Sequence, residues 1–276
     1  MKKLLVLVLS LAMVLSLSAC GNKETKKSDS DSSKKKFTVG FDAEYPPYGY
    51  MDSDTGEYTG FDLELAQAVC DMEGWELVKT PIEWASKDAE LNNGNIDCIW
   101  NGFTINGKED KYEWSDPYVN NQQVVVVAKD SGITKLADLK DKYVAAQSAS
   151  AALQLLQKGG DQEKLCGVLS GGERNRLHLQ EFPDYNTAFS ELEAGTVDAV
   201  AMDVGVAKYQ VNNRNNNYVI LDENLNSEQY GIGFKKGNKE LRDKVNADLK
   251  KLYDEGKVDE LAKKYGIEDM ICLGDK

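Results

Sequence analysis

Hydrophobic residues are distributed along this chain in two alternating patterns. Short apolar runs are typical of buried strands, and apolar residues at three- and four-residue spacing are typical of amphipathic helices. The runs predict strands at 37–42, 77–81, 96–100, 124–128, 142–146 and 197–202. The spacing predicts helices at 61–73, 84–93, 149–158, 185–194, 204–211 and 239–265, the last with a break at Gly256. This alternation predicts parallel βαβ units and therefore an α/β fold.

A seven-residue pattern occurs twice. The segment LNNGNID at 91–97 and the segment LEAGTVD at 192–198 each combine the end of a helix, a glycine that stops it and an Asp that opens an apolar run. Their wide separation predicts two similar α/β lobes rather than a solenoid, whose repeats recur every few tens of residues. Two lobes enclose a cleft, and a cleft is the usual place for a small ligand.

The N-terminal segment differs in composition from the rest of the chain. Lys2 and Lys3 precede an apolar run at 4–17 that is too short to cross a bilayer of about 30 Å, so we interpret 1–19 as a secretory signal peptide. The run ends in LSACG at 17–21, which resembles the lipoprotein cleavage box and implies lipidation of Cys20. The alternative is an ordinary signal peptide with a chance cysteine. Residues 20–36 would then be the lipidated cysteine and a flexible polar tether, anchoring an exported protein to the outer face of the cell membrane.

Charge and cysteine content narrow the possible functions. The 276-residue chain has a formal net charge of −13, which opposes binding to nucleic acid or to anionic membrane surfaces, although solubility alone also explains it. The apolar neighbours of Cys70 and Cys98 predict core positions for these two cysteines. Export permits disulfides, and the state of Cys166 and Cys272 stays open.

Several short segments follow each other in a characteristic order. They are VGFDAEYPPY at 39–48, GFDLEL at 60–65, GFTI at 102–105, WSDPY at 114–118, QSAS at 147–150, MD at 202–203 and YGIGFK at 230–235. Together they resemble the polar amino acid substrate-binding lipoproteins of ABC importers, over residues 37–266. The resemblance implies a two-lobed, periplasmic-binding-protein-like (type II) fold with a two-crossing hinge near 120 and 227–230. Lobe 1 is expected at 37–120 plus 228–276, and lobe 2 at 121–227.

An amino acid is a zwitterion, and this determines which residue types can bury it. Its carboxylate requires a cation and hydrogen-bond donors, and its ammonium group requires an anion, because desolvation otherwise costs several kcal/mol. The resemblance implies that Lys108 holds the carboxylate, with donors near Thr104 and Ser150, and that Asp203 holds the ammonium group. The complete predicted ligand-binding set is Asp42, Tyr45, Trp84, Asn101, Gly102, Thr104, Lys108, Gln147, Ser150 and Asp203.

Some of these residues also have structural explanations. Asp203 could cap the helix that begins at 204. Tyr45 and Trp84 match stacking positions of the family, but Trp84 could instead pack at a helix start. Asp42 could serve only a turn, although the resemblance places it near the side chain of the ligand. Gln147 matches a position that helps to select the ligand, but it could equally be a solvated loop residue.

Two positions depart from the family pattern. The carboxylate loop at 104–108 is one residue shorter than usual and ends in Lys108 where the family has Arg. Lys keeps the charge but loses the planar fork that binds a carboxylate through two hydrogen bonds. Ala149 stands where the family usually has Gly, which changes the backbone angles that are easily adopted there. We therefore expect a weaker affinity or an unusual ligand.

Other functions receive less support. The segment GFTINGKE at 102–109 lacks the Ser or Thr of a phosphate-binding loop. The segment LSGGE at 169–173 is similar to the ABC ATPase signature, but we interpret 169–179 as an insertion. A single histidine, His178, excludes a zinc site of three histidines. The remaining alternatives are an exported lyase or dehydratase that uses Glu44, and a ligand-sensing lobe for a receptor.

The sequence therefore predicts a monomeric substrate-binding protein that is not an enzyme. Its expected partners are a small-molecule amino acid and the ABC permease of the cytoplasmic membrane. No catalytic residue, cofactor, metal ion or nucleic acid is expected.

Overall fold

The computed structural model describes residues 34–157, 159–166, 178–214 and 217–274. The predicted signal peptide, Cys20 and most of the predicted tether lie outside these ranges, as do residues 169–177 of the predicted insertion. No helix within the described ranges is long and apolar enough to cross a membrane.

The first sheet contains the strands β1 Lys36–Phe41, β5 Glu76–Pro81, β6 Cys98–Ile99, β7 Glu113–Trp114 and β14 Gly233–Phe234. Their order in the sheet is β5-β1-β6-β14-β7. Strand β1 is parallel to β5 and β6, whereas β14 is antiparallel to β6 and β7. The helices of this half are α1 Phe61–Glu73, α2 Lys87–Asn93, α7 Lys239–Asp254 and α8 Lys257–Tyr265. A small additional sheet consists of β2 Glu44–Tyr45, β3 Gly49–Met51 and β4 Tyr58–Thr59.

The second sheet contains the strands β8 Val119–Ala128, β9 Tyr143–Gln147, β10 His178–Phe182, β11 Ala199–Asp203, β12 Tyr218–Ile220 and β13 Asn226–Tyr230. Their order in the sheet is β10-β9-β11-β8-β12, and β13 also pairs with β8. The helices of this half are α3 Ala151–Leu156, α4 Glu163–Cys166, α5 Tyr185–Ala194 and α6 Val204–Asn212. The molecule therefore contains two α/β lobes, as the repeated pattern predicted.

The repeated pattern makes the same contacts in both lobes. Helices α2 and α5 end at Gly94 and Gly195, whose φ angles of 77° and 72° are left-handed and cost glycine little. The carboxylates of Asp97 and Asp198 then accept a backbone N–H from the neighbouring strands β1 and β9, at 2.7 and 2.8 Å. The N–H of each Asp donates back to a carbonyl of the same strand at 2.8 Å. Each copy thus ends a helix and fixes the register of the next strand.

Strands β8 and β13 connect the two lobes. They pair antiparallel from Val119 opposite Tyr230 to Gln123 opposite Asn226. The N–H of Tyr118 donates to the carbonyl of Tyr230 at 3.1 Å, which extends the pairing toward the first sheet. The largest hydrophobic cluster includes buried residues of both sheets, so the core is continuous across these strands. The predicted lobe limits of 37–120 plus 228–276 and 121–227 stay a prediction.

Several elements differ from the sequence predictions. The helix predicted at 84–93 begins as a 3-10 turn at Trp84–Ser86 before α2, and the strand predicted at 124–128 extends back to Val119. Strand β10 contains the last residues of the predicted insertion, so 169–179 is not loop throughout. The sheets are mixed rather than purely parallel, because β8 is antiparallel to β11. Cys70 and Cys98 are fully buried, as predicted.

Candidate ligand-binding site

A cavity lies where loops from the two lobes meet. A water-sized sphere can be centred in only about 20 Å³ of it, far less than the range of about 300–1,000 Å³ for small-molecule sites, so the side chains around it lie close together. Most of the predicted ligand-binding residues line it, together with Phe103, Ala149 and Ala151. The predicted residues among them are Tyr45, Trp84, Gly102, Thr104, Lys108, Gln147, Ser150 and Asp203. Asp42 and Asn101 are the two that do not line this cavity.

Asp203 lies buried at the end of β11 and accepts several hydrogen bonds. Its Oδ1 accepts from Gln123 Nε2 at 2.5 Å, from Tyr230 Oη at 2.6 Å and from Asn121 Nδ2 at 2.8 Å. Its Oδ2 accepts from Tyr185 Oη at 3.2 Å. Burial raises the pKa of Asp203, and hydrogen bonds from Tyr230, Gln123 and Tyr185 oppose the shift. Although Asp203 directly precedes α6, its side chain makes no capping bond, so the capping explanation is wrong.

Glu228 is a second buried carboxylate beside Asp203 and is not among the predicted ligand-binding residues. Its Oε1 accepts from Gln123 Nε2 at 2.7 Å and from Asn121 Nδ2 at 2.9 Å. Thr104 Oγ1, from the first lobe, donates to the same oxygen at 2.9 Å. Burial raises the pKa of Glu228 most, and the charge of Asp203 raises it further. The amide groups of both β8 residues therefore bridge the two carboxylates.

Burial in this network follows a period of two along both strands, although their sequences, VNNQQ at 119–123 and NSEQY at 226–230, do not alternate between polar and apolar residues. Along β8, Asn121 and Gln123 are buried while Asn120 and Gln122 are exposed. Along β13, Glu228 and Tyr230 are buried while Ser227 and Gln229 point outward. Side chains two positions apart share one face of a strand. Polar residues at both inward positions indicate a buried hydrogen-bond network rather than an apolar core.

Lys108 supplies a cation to the same cavity. Its half-buried side chain lies with Nζ 3.5 Å from the carbonyl oxygen of Thr104, and within the described residues it makes no salt bridge. Burial lowers the pKa of Lys108, and the charges of Glu228 and Asp203 oppose the shift. Its own carbonyl accepts Trp114 Nε1 at 2.9 Å, which fixes the backbone of the shortened loop. An ammonium group in this position can pair with a ligand carboxylate.

Asp62 of α1 holds the glycine loop that carries part of the cavity wall. Its Oδ2 accepts the N–H of Gly102 at 2.7 Å, and its Oδ1 accepts Tyr118 Oη at 2.8 Å. Burial raises the pKa of Asp62 to about 7, against the effect of these hydrogen bonds. Asn101 lies behind the same loop, where its Oδ1 accepts the N–H of Asp42 at 3.1 Å. Asn101 therefore supports the cavity without lining it.

The residues after β9 form the wall that the second lobe contributes. Ser150 Oγ accepts the N–H of Leu153 at 3.1 Å, and so it caps α3. Ala149, directly before it, has a φ angle of 57°. A left-handed conformation costs a residue with a Cβ about 1–2 kcal/mol. The sequence departure at Ala149 is therefore a strained position beside the cavity.

Asp42 and Gln147 form a contact between the two lobes. Gln147 Nε2 donates to Asp42 Oδ2 and, at 3.1 Å, to the carbonyl of Pro183. Since Gln147 is buried, it is not a solvated loop residue. Asp42 also serves a turn, because its Oδ1 accepts the N–H of Glu44 at 2.8 Å. Burial raises the pKa of Asp42 to about 6, which these hydrogen bonds oppose.

An outer pocket adjoins the cavity at Trp84 and is strongly acidic. Its lining residues include no Lys or Arg. The carboxylates in it belong to Asp42, Glu44, Glu83 and Asp184. Glu44, the residue on which the lyase alternative depends, is exposed here, accepts a hydrogen bond from Asn186 Nδ2 and does not line the inner cavity.

Two aromatic side chains line the cavity from the first lobe. Tyr45 Oη lies 3.2 Å from Tyr230 Oη, and its ring lies 5.9 Å from that of Tyr185 in the second lobe. Trp84 packs edge-on against Phe103 at 5.3 Å and begins the 3-10 turn, so the helix-start explanation for it also holds. Rings in these positions can contact the aliphatic part of a ligand.

The cavity thus has a cation from one lobe and an anion from the other. Within the described ranges, no group of His, Cys, Asp and Glu is arranged to hold a metal ion. A small space between two α/β lobes, lined by charged and hydroxyl groups, is typical of two-lobed binding proteins, and this chain has that arrangement.

Comparison with known proteins identifies the family of this chain. The model of the bacterial extracellular solute-binding proteins, family 3, matches residues 37–268. The chain is 31% identical over 268 residues to the arginine-binding extracellular protein ArtP of Bacillus subtilis, covering 96% of this chain and 98% of ArtP. It is 31% identical over 286 residues to the ABC transporter glutamine-binding protein GlnH of the same organism, covering 98% and 99%. This chain belongs to the bacterial extracellular solute-binding proteins, family 3.

A solved structure confirms the fold. An ABC uptake transporter substrate-binding protein from Streptococcus pneumoniae with bound histidine has a TM-score of 0.77 and 32% identity, covering 86% of this chain and 94% of that chain. The predicted two-lobed α/β fold is therefore correct. Since these three proteins are described with arginine, glutamine and histidine, family membership alone does not specify the ligand of this chain.

Proposed function

We propose that this protein binds an amino acid between its two lobes and presents it to the permease of an ABC importer. The observation that carries the proposal is the placement of Lys108 and Asp203 at one cavity, on different lobes. A buried zwitterion needs both charges, and a ligand that contacts both lobes favours the closed form. The names of the relatives and the bound histidine of the related structure support the same function.

The roles within the cavity follow from charge and position. Lys108 binds the carboxylate, together with backbone donors near Thr104 and Ser150, and Asp203 binds the ammonium group. Tyr45 and Trp84 contact the aliphatic part of the ligand. The remaining predicted residues, Asp42, Asn101, Gly102 and Gln147, shape the cavity and its entrance.

The charge of the acidic outer pocket restricts which side chains the ligand can have. Four carboxylates without a lining cation favour a cationic or amide side chain and oppose a glutamate or aspartate side chain. Asp42 is the nearest of these carboxylates, because Gln147 connects it directly to the cavity wall. We therefore infer that the ligand is a polar amino acid whose side chain is not acidic.

The cellular setting is part of the same proposal. Residues 1–19 are removed as a signal peptide, Cys20 carries the lipid anchor, and a monomer without enzymatic activity works at the outer face of the membrane. The extracellular family and the LSACG segment at 17–21 support this assignment.

Identification of the bound amino acid tests the proposal. Protein purified without added ligand is denatured and the released compounds are identified by mass spectrometry. A panel of amino acids is then tested by calorimetry on the stripped and refolded protein. We expect one or a few to bind and to raise the melting temperature. No binding by any amino acid at millimolar concentration would contradict the proposal.

Substitutions at the two ends of β11 test the role of Asp203 and provide a matched control. Asp203→Asn removes the anion while keeping the side-chain shape, and we expect affinity to fall at least about 100-fold, since a buried charge pair loses one partner. Asp198→Asn, just before β11 at its other end, should leave affinity unchanged. Retained binding in Asp203→Asn would show that the ammonium group is held elsewhere.

A further inference from the structure

Asp203 and Glu228 form a buried carboxylate pair that two amide groups hold together. Asn121 Nδ2 donates to Asp203 Oδ1 at 2.8 Å and to Glu228 Oε1 at 2.9 Å. Gln123 Nε2 donates to the same two oxygens at 2.5 and 2.7 Å. Because β8 lies between β11 and β13, its amides separate two side chains that would otherwise repel each other.

The surroundings of the pair supply little positive charge. Within the described residues, neither carboxylate forms a salt bridge. Lys108, on the cavity side, is a cation whose charge acts on both. Lys208 and Asp269 line the groove behind Glu228, where their charges oppose each other. The other titratable groups that face Asp203 are the hydroxyls of Tyr45, Tyr48, Tyr185 and Tyr230.

Two carboxylates in this setting do not lose their protons independently. Burial disfavours each charge, and the first charge disfavours the second. The bridging amide groups stabilise one shared negative charge well, because each NH2 group lies within hydrogen-bond distance of both oxygens. A second negative charge requires a cation close to the pair.

We propose that Asp203 and Glu228 share one proton until the ammonium group of the bound amino acid displaces it. This step rests on the proposed function, in which Asp203 binds that ammonium group. The ligand enters with all three ammonium protons, and the shared proton passes to the solvent. The charge of the pair changes from one negative unit to two, and the ammonium group compensates the added charge. Glu228 acts through the amide groups and Asp203, so it is a positioning residue.

Calorimetry in buffers of different ionisation enthalpy measures this proton directly. With the tightest-binding amino acid that has an uncharged side chain, we expect the wild-type protein to release about one proton per ligand near neutral pH. Affinity should rise with pH by up to about tenfold per unit across the titration of the pair. Lys108 would produce the opposite sign, because a cation that gains an anionic partner takes up protons.

Variants distinguish the pair from other acids. In Glu228→Gln, binding should persist, while proton release and the pH dependence of affinity should disappear. In Asp248→Asn, which removes a buried carboxyl of raised pKa in α7, outside the cavity, proton release should persist. For the wild type, 13C NMR of the carboxyl carbons should show deprotonation of this pair when ligand binds, which keeps the test valid if Glu228→Gln folds poorly.

Two results would overturn the inference while leaving the proposed function intact. One is ligand binding whose enthalpy is independent of the buffer. The other is proton release of equal size in Glu228→Gln. Failure of every amino acid to bind would instead overturn the proposed function.

Discussion

The hydroxyl group of Tyr48 lies directly against the backbone of Gly205. A Cβ added at position 205 would lie 2.4 Å from Tyr48 Oη, which is closer than real Cβ atoms approach such a group. Tyr48 belongs to the first lobe, and Gly205 belongs to the first turn of α6, two residues after Asp203. The buried Tyr48 hydroxyl makes no hydrogen bond within the described structure. The absence of a side chain at 205 therefore allows the lobes to meet beside the cavity.

Substitution of this glycine tests whether the contact limits closure. In a helix, Gly→Ala normally adds up to about 1 kcal/mol of stability. In Gly205→Ala, the added methyl group meets Tyr48, so we expect ligand affinity to fall at least about tenfold, since the closed form becomes strained. Calorimetry measures the affinity, and small-angle X-ray scattering measures closure. Removal of the hydroxyl in Gly205→Ala with Tyr48→Phe should recover part of the loss. An unchanged affinity in the single variant would show that closure does not need this contact.

Ala149 offers a prediction of the opposite sign. The φ angle of Ala149, 57°, is left-handed, so Ala149→Gly relieves backbone strain. Glycine also gives the unfolded chain more conformational entropy, which opposes this gain. We expect a net increase of about 1 kcal/mol in the free energy of unfolding. Ala152→Gly, three residues further in α3, is the matched control and should destabilise by about 1 kcal/mol. Urea unfolding of both variants measures the difference. A destabilised Ala149→Gly would mean that the backbone there relaxes at no cost.

The two lobes could be predicted because their signals are local. Gly94 ends α2, and Asp97, in the same short segment, accepts a hydrogen bond from the backbone of β1. Gly195 and Asp198 of the second copy have the same two roles. Asp203 directly follows one apolar run, and Lys108 lies in the loop after another. Both could be predicted at the cavity because these segments resemble the family. Helix α5 and the break at Gly256 also follow from local periodicity.

Glu228 could not be placed by the same reasoning. Its partner Asn121 is 107 positions away, and only the pairing of β8 with β13 brings the two together. The inward positions of these strands carry Asn, Gln and Glu, whereas a rule based on apolar burial searches for hydrophobic residues there. Buried polar networks of this kind depend on tertiary contacts, and no single segment predicts them.

The buried carboxyl of Asp62 predicts an unusual dependence of stability on pH. Its pKa is about 7 in the folded protein, raised from 3.8, so the folded state holds a proton that the unfolded state has lost. This contribution to stability is present below about pH 4 and is lost as pH rises through 7. Thermal unfolding of the ligand-free protein should therefore show a melting temperature that falls between pH 5 and about pH 8.

The variant Asp62→Asn identifies the source of that slope. Asn cannot titrate, so the decrease of stability with pH should become smaller by at most about 1.4 kcal/mol per pH unit. Asp97→Asn serves as the control, because Asp97 lies at the strand end of the repeated pattern, apart from the glycine loop. An identical slope in wild type and Asp62→Asn would mean that Asp62 stays ionised despite its burial.

Lys108 provides the final prediction, because it stands where the related proteins are expected to have Arg. Lys108→Gln should lower affinity at least about 100-fold, since the ligand carboxylate would lose its charged partner while buried. Lys108→Arg should retain affinity or raise it a few-fold, because a guanidinium group can donate two parallel hydrogen bonds to a carboxylate. Lys111→Gln is the control: Lys111 is exposed, pairs with Asp88 at 2.7 Å and should leave affinity unchanged. If Lys108→Gln bound as tightly as the wild type, the backbone donors near Thr104 and Ser150 would have to hold the carboxylate without a cation.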